Sequence, residues 1–298
     1  MKAAMSSFFS ALRRLSRPVA RPSGLEASPP VKIGLALGGG FARGIAHAGV
    51  LEVFQRHQVP IHCITGVSAG SIVAAAFASG ASPAEIAHAG CRMRFGDVAR
   101  WSLCRMGFVV SERMQHFLER LLKRYRFEEM VVPLGVVATD LCSGDPVRFH
   151  GRGDVFLPIR ASCSYPGLFK PVPHEGRLLV DGAMSMEIPA ALARQLGATH
   201  VISVHLPAQS ADRLPTNVFQ VVNRCFQILQ TRTEDGWRKE SDLIVTPDVR
   251  AVEWDGFESG PQLVKAGESA ALAALPVIQS WQHPLRGLPR LAPEPAPL

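Results

Sequence analysis

Apolar and polar residues follow two different rhythms along this chain. Short apolar runs predict buried strands, and longer stretches in which apolar residues recur every three or four positions predict helices. The predicted strands are Lys32–Leu37, Pro60–Gly66, Leu134–Thr139, Pro146–His150, Arg177–Val180, His200–Val204 and Asp242–Val245. The predicted helices are Gly44–Gln58, Ser71–Ser79, one that begins after Ser82, Ser111–Tyr125, Val155–Ser162, Ala190–Leu196, Asn217–Arg232 and Gln262–Gln279.

Strands and helices that alternate in this way predict an α/β fold. The expected architecture is a three-layer α/β/α arrangement, with a mostly parallel sheet and helices on both faces. One helix start is marked strongly, because Ser82 and Glu85 form a capping box around Pro83 at the first helical position. Ligands of such folds bind outside the carboxyl ends of the strands. We therefore expect the chemistry at residues that directly follow strands.

Proline-rich stretches mark the limits of the folded part. Prolines cluster just before the first strand, and again after residue 283. We expect a flexible basic segment at 1–30, one folded domain at 31–282 and a flexible proline-rich tail at 283–298. The basic segment is interpreted as an amphipathic helix on an anionic membrane, as a solvated disordered leader, or as a targeting presequence, and the sequence leaves all three open.

Composition narrows the class of function. The formal net charge of +7 suits an anionic partner, but the basic residues form no dense run with interleaved aromatic residues, so nucleic acid is not expected. No apolar stretch has the length of a membrane span. The six cysteines form no C-x-x-C pair, which predicts free thiols in a reducing compartment and no zinc site. A cytoplasmic location is expected, with peripheral membrane contact as an alternative.

The strand predicted to end at Gly66 runs into the pattern Gly66-x-Ser68-x-Gly70. A serine on a sharp turn between strand and helix projects its hydroxyl clear of the sheet, and the glycines permit the cramped backbone. The start of the helix offers free N–H groups to a developing anion. The pattern also occurs by chance in glycine-rich loops, but its place between a strand and a helix indicates a nucleophile elbow with Ser68 as the nucleophile.

A second glycine-rich turn follows the first strand and runs from Gly38 to Gly44. Its consecutive glycines let several N–H groups point to one place. A dinucleotide loop is one interpretation, but the pattern G-x-G-x-x-G requires glycine where Arg43 stands, and an acidic residue after the second strand. The other interpretation, which the elbow favours, is an oxyanion hole for acyl transfer with Arg43 as its support. Its residues are Gly38, Gly39, Gly40, Phe41, Arg43 and Gly44.

A serine nucleophile needs a base. The usual triad takes a histidine and an aspartate from downstream positions, and no downstream histidine stands in a convincing loop-end motif. The histidines considered are His174, His200, His205 and His283. The better candidate is Asp181 of the block Asp181-Gly182-Ala183, which follows an apolar strand. Burial raises the pKa of a carboxyl group, so Asp181 could accept the serine proton directly. An ordinary Asp-Gly turn is the alternative interpretation.

Five ordered blocks together resemble the patatin-like phospholipase family, in particular its bacterial branch. They are Leu35–Leu51, Gly66–Ser71, Ala138–Leu141, Ala161–Val172 and Val180–Ala183. The resemblance runs from about Val31 to about His205. It implies a patatin-like α/β/α fold and a lipid acyl hydrolase that uses no metal and no cofactor.

Carried over by position, the resemblance implies a Ser-Asp dyad. Ser68 is the nucleophile, Asp181 is the base, and the N–H groups around Gly39, Gly40 and Phe41 hold the oxyanion. The expected substrate is a phospholipid or lysophospholipid, whose ester bond is cleaved through an acyl-enzyme. Phe41 departs from the small residue usual in the family, which predicts a narrower oxyanion hole or acyl entrance.

Two other functions remain open at this point. A soluble carboxylesterase or thioesterase would use the same residues on smaller substrates, and an adaptor would keep the fold with negligible turnover. The intact Ser68, Asp181 and glycine loop argue against the adaptor. The segment Cys91–Val110 carries arginines beside Phe95, Trp101 and Phe108 and is interpreted either as a surface that docks on lipid or as a solvated cap helix and loop.

Overall fold

A computed structural model describes residues 30–104, 106–111, 113–208 and 214–282. Internal contacts divide the chain between Pro30 and Val31, and the fold below belongs to the unit that begins at Val31. The strands are β1 Ile33–Leu37, β2 Ile61–Val67, β3 Arg100–Cys104, β4 Gly107–Val110, β5 Leu134–Asp140, β6 Pro146–His150, β7 Val172–His174, β8 Arg177–Asp181, β9 His200–Val204 and β10 Leu243–Val245. The predicted basic segment, apart from Pro30, and the whole of the predicted tail lie outside the described residues, and the domain limits stay predictions.

The helices match most of the predicted ones. They are α1 Ala46–Arg56, α2 Ala69–Ser79, α3 Pro83–Arg92, α4 Phe95–Val98, α5 Arg113–Leu121, α6 Phe156–Ser162, α7 Ala190–Gln195, α8 Val218–Lys239 and α9 Gly260–Gln282. Short 3-10 helices cover Phe41–Ile45, Phe127–Glu129, Gly182–Met184 and Phe257–Ser259. No helix among the described residues is long and apolar enough to cross a bilayer.

The main sheet contains eight of the described strands, in the order β10-β9-β1-β2-β5-β8-β7, with β6 paired to β5. The five strands from β10 to β5 are parallel, as predicted. The strands β6 and β8 run antiparallel to β5, and β7 runs antiparallel to β8. Strands β3 and β4 form a separate antiparallel hairpin.

The central strands are covered on both faces, because their side chains alternate between two apolar clusters. Leu35 and Leu37 of β1 pack in the large cluster with residues of α1, α2 and α9. Ala36 packs in the other cluster, with residues of α7 and with Trp237 of α8. Parallel strands that are buried on both faces have continuous apolar sequences, and this feature was the basis for predicting them. The three-layer α/β/α architecture is confirmed.

Strand β7 and the short helix α4 were not predicted, and two further elements differ from the prediction. Helix α8 continues to Lys239, beyond the predicted end, because its last turn is anchored by Trp237, whose indole N–H donates to Glu187 Oε2 at 2.9 Å. The second difference is the β3–β4 hairpin, in a segment predicted without strands. There Phe95 lies against Trp101 with ring centroids 6.2 Å apart. Both differences arise from tertiary contacts that apolar periodicity does not report.

Candidate active site

Ser68 occupies the turn between β2 and α2 in a strained conformation. Its φ is 51° and its ψ is −129°, a region that side chains other than glycine rarely adopt. Several hydrogen bonds hold it there. Its N–H donates to Ser162 Oγ at 2.8 Å, and its carbonyl accepts from Ser71 N at 2.9 Å and from Ser71 Oγ at 2.6 Å. Ser68 therefore lies on a tight strand-to-helix turn whose backbone is fixed on both sides, which is the geometry that a nucleophile elbow would need.

The elbow packs directly on the backbone of the glycine loop. A side chain at Gly66 would overlap the backbone of Gly70, and one at Gly70 would overlap the carbonyl oxygens of Leu37 and Gly38. At Gly44, a Cβ would lie 2.6 Å from the Cβ of Ala69 on the neighbouring helix. Glycine is required at Gly66 and Gly70 because backbone meets backbone there, and at Gly44 because the Ala69 methyl group occupies the space. The two glycine-rich turns thus form one rigid floor.

Strand register brings Asp181 to the elbow. Val67, the residue before Ser68, pairs with Val137 of β5, and the next residue of β5, Ala138, pairs with Asp181 of β8. Strand β8 runs antiparallel to β5, so the carboxyl end of β8 lies beside the middle of β5. The predicted meeting of the two residues therefore occurs, although β8 is antiparallel where the sequence suggested a mostly parallel sheet.

The Asp181 carboxyl group is buried, with 1% of the residue exposed. Burial raises its pKa to about 7, while hydrogen bonds from the Ala183 N–H and the Ser68 hydroxyl act in the opposite direction. The Ala183 N–H lies 2.9 Å from Asp181 Oδ1. Near neutral pH the group therefore exists in both protonation states, and it can take a proton from the serine hydroxyl and return it.

The glycine loop presents free N–H groups beside the serine. A Cβ at Gly39 would lie 3.2 Å from the Cβ of Ser68, so this backbone passes close to the hydroxyl. The N–H of Gly38 donates to Val204 O at 3.1 Å and is therefore not free, which removes it from the predicted oxyanion hole. No acceptor among the described residues binds the N–H groups of Gly39, Gly40 and Phe41.

Two buried basic side chains hold this loop from behind. The Arg43 guanidinium donates to Pro207 O at 2.8 Å and, through Nε, to Gly40 O at 3.4 Å. His47, which sequence reasoning missed, donates from Nε2 to Gly38 O at 2.9 Å, and burial lowers its pKa to about 4. Arg43 therefore supports the loop as predicted, and His47 is a second, neutral support.

A pocket of about 570 Å³ opens above Ser68 and Asp181 and is roofed by α8. The roof is largely polar. It contributes Asn223, Arg224, Gln227, Ile228, Gln230, Thr231, Arg232 and Glu234 to the lining. The wall opposite includes Glu187 and His205, which the sequence did not assign to the site. His205 directly follows β9. The expectation that functional residues follow strands, which pointed to Ser68, therefore points to His205 as well.

The candidate histidines have other partners. His205 Nε2 lies 3.7 Å from Glu187 Oε1, its ring lies 5.3 Å from the Trp237 ring, and burial lowers its pKa to about 4. His174 packs on Phe149, and His200 packs on Trp281 at the start of β9. His283 lies outside the described residues. No cluster of three or more His, Cys, Asp or Glu side chains suited to a metal ion occurs in the described part of the chain.

Comparison with known proteins identifies the family. The family model described as "Patatin-like phospholipase" matches residues 35–194, more than half of the chain. The chain belongs to the patatin-like phospholipase family. The matched range contains both glycine-rich turns and Asp181, so the resemblance seen in the sequence is confirmed.

Relatives within and beyond bacteria agree with this assignment. An uncharacterised NTE-family protein of Mycobacterium bovis is 32% identical over 207 residues, which is 67% of this chain and 57% of that protein. Patatin-like phospholipase domain-containing protein 6 of Mus musculus is 29% identical over 195 residues, 62% of this chain and 14% of that protein. The match therefore spans little more than half of the mycobacterial relative and a small part of the mouse protein.

A solved structure agrees on the fold. The crystal structure of VipD from Legionella pneumophila superposes with a TM-score of 0.51 at 14% identity, covering 83% of this chain and 67% of that one. At this identity the likeness concerns the fold alone. It is consistent with a patatin-like arrangement of sheet and helices.

Proposed function

We propose that the protein is a serine acyl hydrolase that cleaves ester bonds of phospholipids or lysophospholipids through a Ser68–Asp181 dyad. One observation carries the proposal. The Ser68 hydroxyl and the buried Asp181 carboxyl line the same pocket and interact with each other, and burial raises the pKa of the carboxyl to about 7. A nucleophile within hydrogen-bond reach of a base that titrates near the working pH is the arrangement that general-base catalysis requires.

Acylation follows from this geometry. Ser68 Oγ attacks the ester carbonyl carbon while its proton passes to Asp181. The carbonyl oxygen becomes an oxyanion, which the free N–H groups of Gly39, Gly40 and Phe41 bind. The bond from the carbonyl carbon to the alcohol oxygen then breaks, and the alcohol leaves with the proton from Asp181. The acyl group remains bonded to Ser68 Oγ.

Deacylation repeats these steps with water. Asp181 removes a proton from a water molecule, whose oxygen attacks the acyl carbon, and the same N–H groups bind the second oxyanion. The bond to Ser68 Oγ breaks, Asp181 returns the proton to the serine, and the fatty acid leaves. His47 and Arg43 take no part in proton transfer, because both are bonded to loop carbonyls.

A lipid substrate is favoured by the family and by the pocket. Membership of the patatin-like phospholipase family supports lipid hydrolysis. The polar roof, with Arg224, Arg232 and Glu234, suits the polar alcohol part of a phospholipid better than a small apolar ester. The polar side chains of the pocket can contact more than one kind of head group.

The test uses a fluorophosphonate probe and fatty-acid release. Ser68→Ala should lose both labelling and hydrolysis, since removal of a serine nucleophile reduces turnover by up to roughly a millionfold. Ser280→Ala is the matched control, because it removes a serine hydroxyl that donates to Val277 O on the exposed side of α9 and leaves the Ser68 turn unchanged. Labelling of another residue in Ser68→Ala, or retained hydrolysis, would show that the nucleophile is wrong.

The substrate class is tested separately with defined lipids. Phospholipid and lysophospholipid should be hydrolysed with a higher kcat/KM than a short-chain ester or thioester. The reverse order would favour a soluble carboxylesterase or thioesterase with the same dyad. Absence of probe labelling in the folded wild-type protein would favour the adaptor.

A further inference from the structure

One carboxylate of the catalytic pocket has no role in the chemistry described so far. Glu187 lines the pocket together with Ser68 and Asp181, and its side chain is 17% exposed. The next residue, Ile188, lies against the glycine loop, because a Cβ added at Gly38 would lie 3.2 Å from its Cγ1. Glu187 therefore stands in the wall beside the backbone that carries the N–H donors.

The two oxygens of the Glu187 carboxylate have different surroundings. Oε2 accepts from the Trp237 indole N–H at 2.9 Å, which is the contact that anchors α8. Oε1 lies 3.7 Å from His205 Nε2, a distance too long for a hydrogen bond. No residue that the structure describes donates a hydrogen bond to Oε1. One oxygen therefore holds the roof in place, and the other is able to bind a ligand in the pocket.

The Glu187 carboxylate also has no cation facing it. Burial raises its pKa, and the Trp237 bond, which acts in the opposite direction, is a smaller effect. Burial lowers the pKa of His205 to about 4, so that ring is neutral near neutral pH. The other carboxylate of the lining, Glu234, differs, because it accepts from Arg238 Nη2 at 3.1 Å. Within the described part of the chain, no lysine or arginine nitrogen lies within 4.0 Å of the Glu187 carboxylate.

A primary ammonium group is complementary to this pair of side chains. It supplies the missing positive charge, and its three N–H groups can donate to Glu187 Oε1 and to His205 Nε2, which accepts when the ring carries its proton on Nδ1. The two acceptors are 3.7 Å apart, so one ammonium nitrogen can lie about 2.8 Å from each. A quaternary ammonium has no N–H group and cannot make these bonds.

The same pocket contains the charges that the rest of such a head group requires. Arg224 and Arg232 of α8 belong to the lining, and arginine is well suited to a phosphate group. In phosphatidylethanolamine the phosphate and the primary ammonium both belong to the alcohol part, which leaves when the ester bond breaks. The lining therefore offers arginines to the phosphate and a carboxylate to the ammonium.

We propose that Glu187 and His205 bind the primary ammonium of the head group, and that the substrate is phosphatidylethanolamine or its lysophospholipid. This inference rests on the proposed function, because it needs the lipid ester at Ser68. It explains why a half-buried carboxylate without a facing cation stands in the pocket wall. Glu187 and His205 act here as specificity-determining residues and take no part in proton transfer.

Equilibrium binding in Ser68→Ala tests the site without turnover. The ligands are monomeric dihexanoyl phosphatidylethanolamine and dihexanoyl phosphatidylglycerol, which share every part except the end of the head group. Glu187→Gln is the variant, because a glutamine oxygen still accepts from Trp237 while the negative charge is lost. Glu240→Gln is the matched control, since Glu240 directly follows α8, lies outside the pocket lining, and has its Oε2 4.0 Å from Arg194 Nε.

The expected result is a loss confined to the ethanolamine lipid. In Glu187→Gln its affinity should fall at least about tenfold, the effect of losing one hydrogen bond between charged groups. Affinity for the glycerol lipid should not fall, and Glu240→Gln should change both affinities by less than about twofold. Equal losses for the two lipids would show that Glu187 only anchors the roof, and no loss for either would also overturn the proposal. A loss confined to the glycerol lipid would assign Glu187 to a hydroxyl group instead.

A choline lipid tests the hydrogen bonds of the ammonium. Dihexanoyl phosphatidylcholine carries the same positive charge but no N–H group, so it should bind Ser68→Ala more weakly than the ethanolamine lipid does. Its affinity should also depend less on Glu187. Equal affinity for the two lipids would contradict an ammonium held by N–H donors.

Kinetics of the active enzyme separate this proposal from the proposed function. The ratio of kcat/KM for the ethanolamine lipid to that for the glycerol lipid should fall at least about tenfold in Glu187→Gln, mainly through KM. If hydrolysis persists in Ser68→Ala while binding still depends on Glu187, the proposed function fails and the ammonium site stands. If hydrolysis requires Ser68 but the ratio is unchanged in Glu187→Gln, the ammonium site alone fails.

Discussion

The floor of the catalytic pocket and its roof are built in opposite ways. In the floor, made of the two glycine-rich turns and Asp181, the carboxyl group is buried, and a methyl group added at Gly44, Gly66 or Gly70 would overlap neighbouring atoms. The roof, helix α8, leaves Val218 77% exposed and Leu229 53% exposed, and Gly236 has no neighbour within 4 Å of an added Cβ. Backbone contacts fix the positions of the reacting groups, whereas side chains of the roof can vary with the substrate.

Among changes that leave the Ser68 nucleophile in place, the largest effect on activity is expected at the base. Asp181→Asn keeps the shape of the side chain but removes its ability to accept a proton, so kcat/KM should fall about a hundredfold to ten-thousandfold. His205→Ala, in the opposite wall, should cost less than about tenfold. Both losses are measured as kcat/KM on a soluble ester, with variants that are shown to be folded.

Asp140→Asn is the matched control for the base. Asp140 ends β5 at the same edge of the sheet, is 9% exposed, and accepts from Cys142 N at 2.9 Å, which an asparagine oxygen can also do. Its activity should stay close to the wild type. If His205→Ala were inactive while Asp181→Asn remained active, the dyad would have to be replaced by a triad.

The next effect concerns the rigidity of the floor. Gly70→Ala forces the carbonyl groups of Leu37 and Gly38 to move, because both occupy the space of the new methyl group. Overpacking of this kind costs about 1–3 kcal/mol, and the displaced loop carries the oxyanion donors. Both the melting temperature and kcat should fall. An unchanged kcat in the folded variant would show that the loop geometry tolerates displacement.

The smallest effect, of opposite sign, is expected in the roof. A methyl group added at Gly236 of α8 has no atom within 4 Å, so Gly236→Ala removes the flexibility of glycine without a clash. The free energy of unfolding should rise by about 0.5–1 kcal/mol. Denaturant unfolding measures it, with Gly70→Ala as the contrasting variant. A decrease would mean that the helix ends near Arg232, as the sequence predicted.

The floor could be predicted from the sequence because its chemistry is local. The elbow, the glycine loop and the capping box at Ser82 each lie within a few residues, and the capping box is confirmed by a bond from Glu85 N to Ser82 Oγ of 3.2 Å. Asp181 was found because it ends a strand, although the register that brings it to Ser68 depends on an antiparallel pairing with no sequence signature.

The roof and the partners of the Phe41 ring could not be predicted, because they depend on contacts between distant segments. The indole of Trp237 bonds to Glu187, fifty residues away in the chain, and that contact extends α8 over the pocket. The ring of Phe41 meets the rings of Tyr165 and Trp254, both more than a hundred residues away. The sequence indicated that Phe41 was unusual, and the structure supplies its two partners.

The pH dependence of kcat/KM tests the central claim most directly, namely that a buried carboxylate takes the proton from Ser68. Because burial raises the pKa of Asp181 to about 7, the active carboxylate prevails only above that pH. The value of kcat/KM should be half-maximal near pH 7 and fall about tenfold per pH unit on the acid side. The limb should persist in His205→Ala and shift little with temperature, since carboxyl ionisation releases little heat. A limb near pH 4, or one that disappears in His205→Ala or shifts with temperature as an imidazole does, would contradict it.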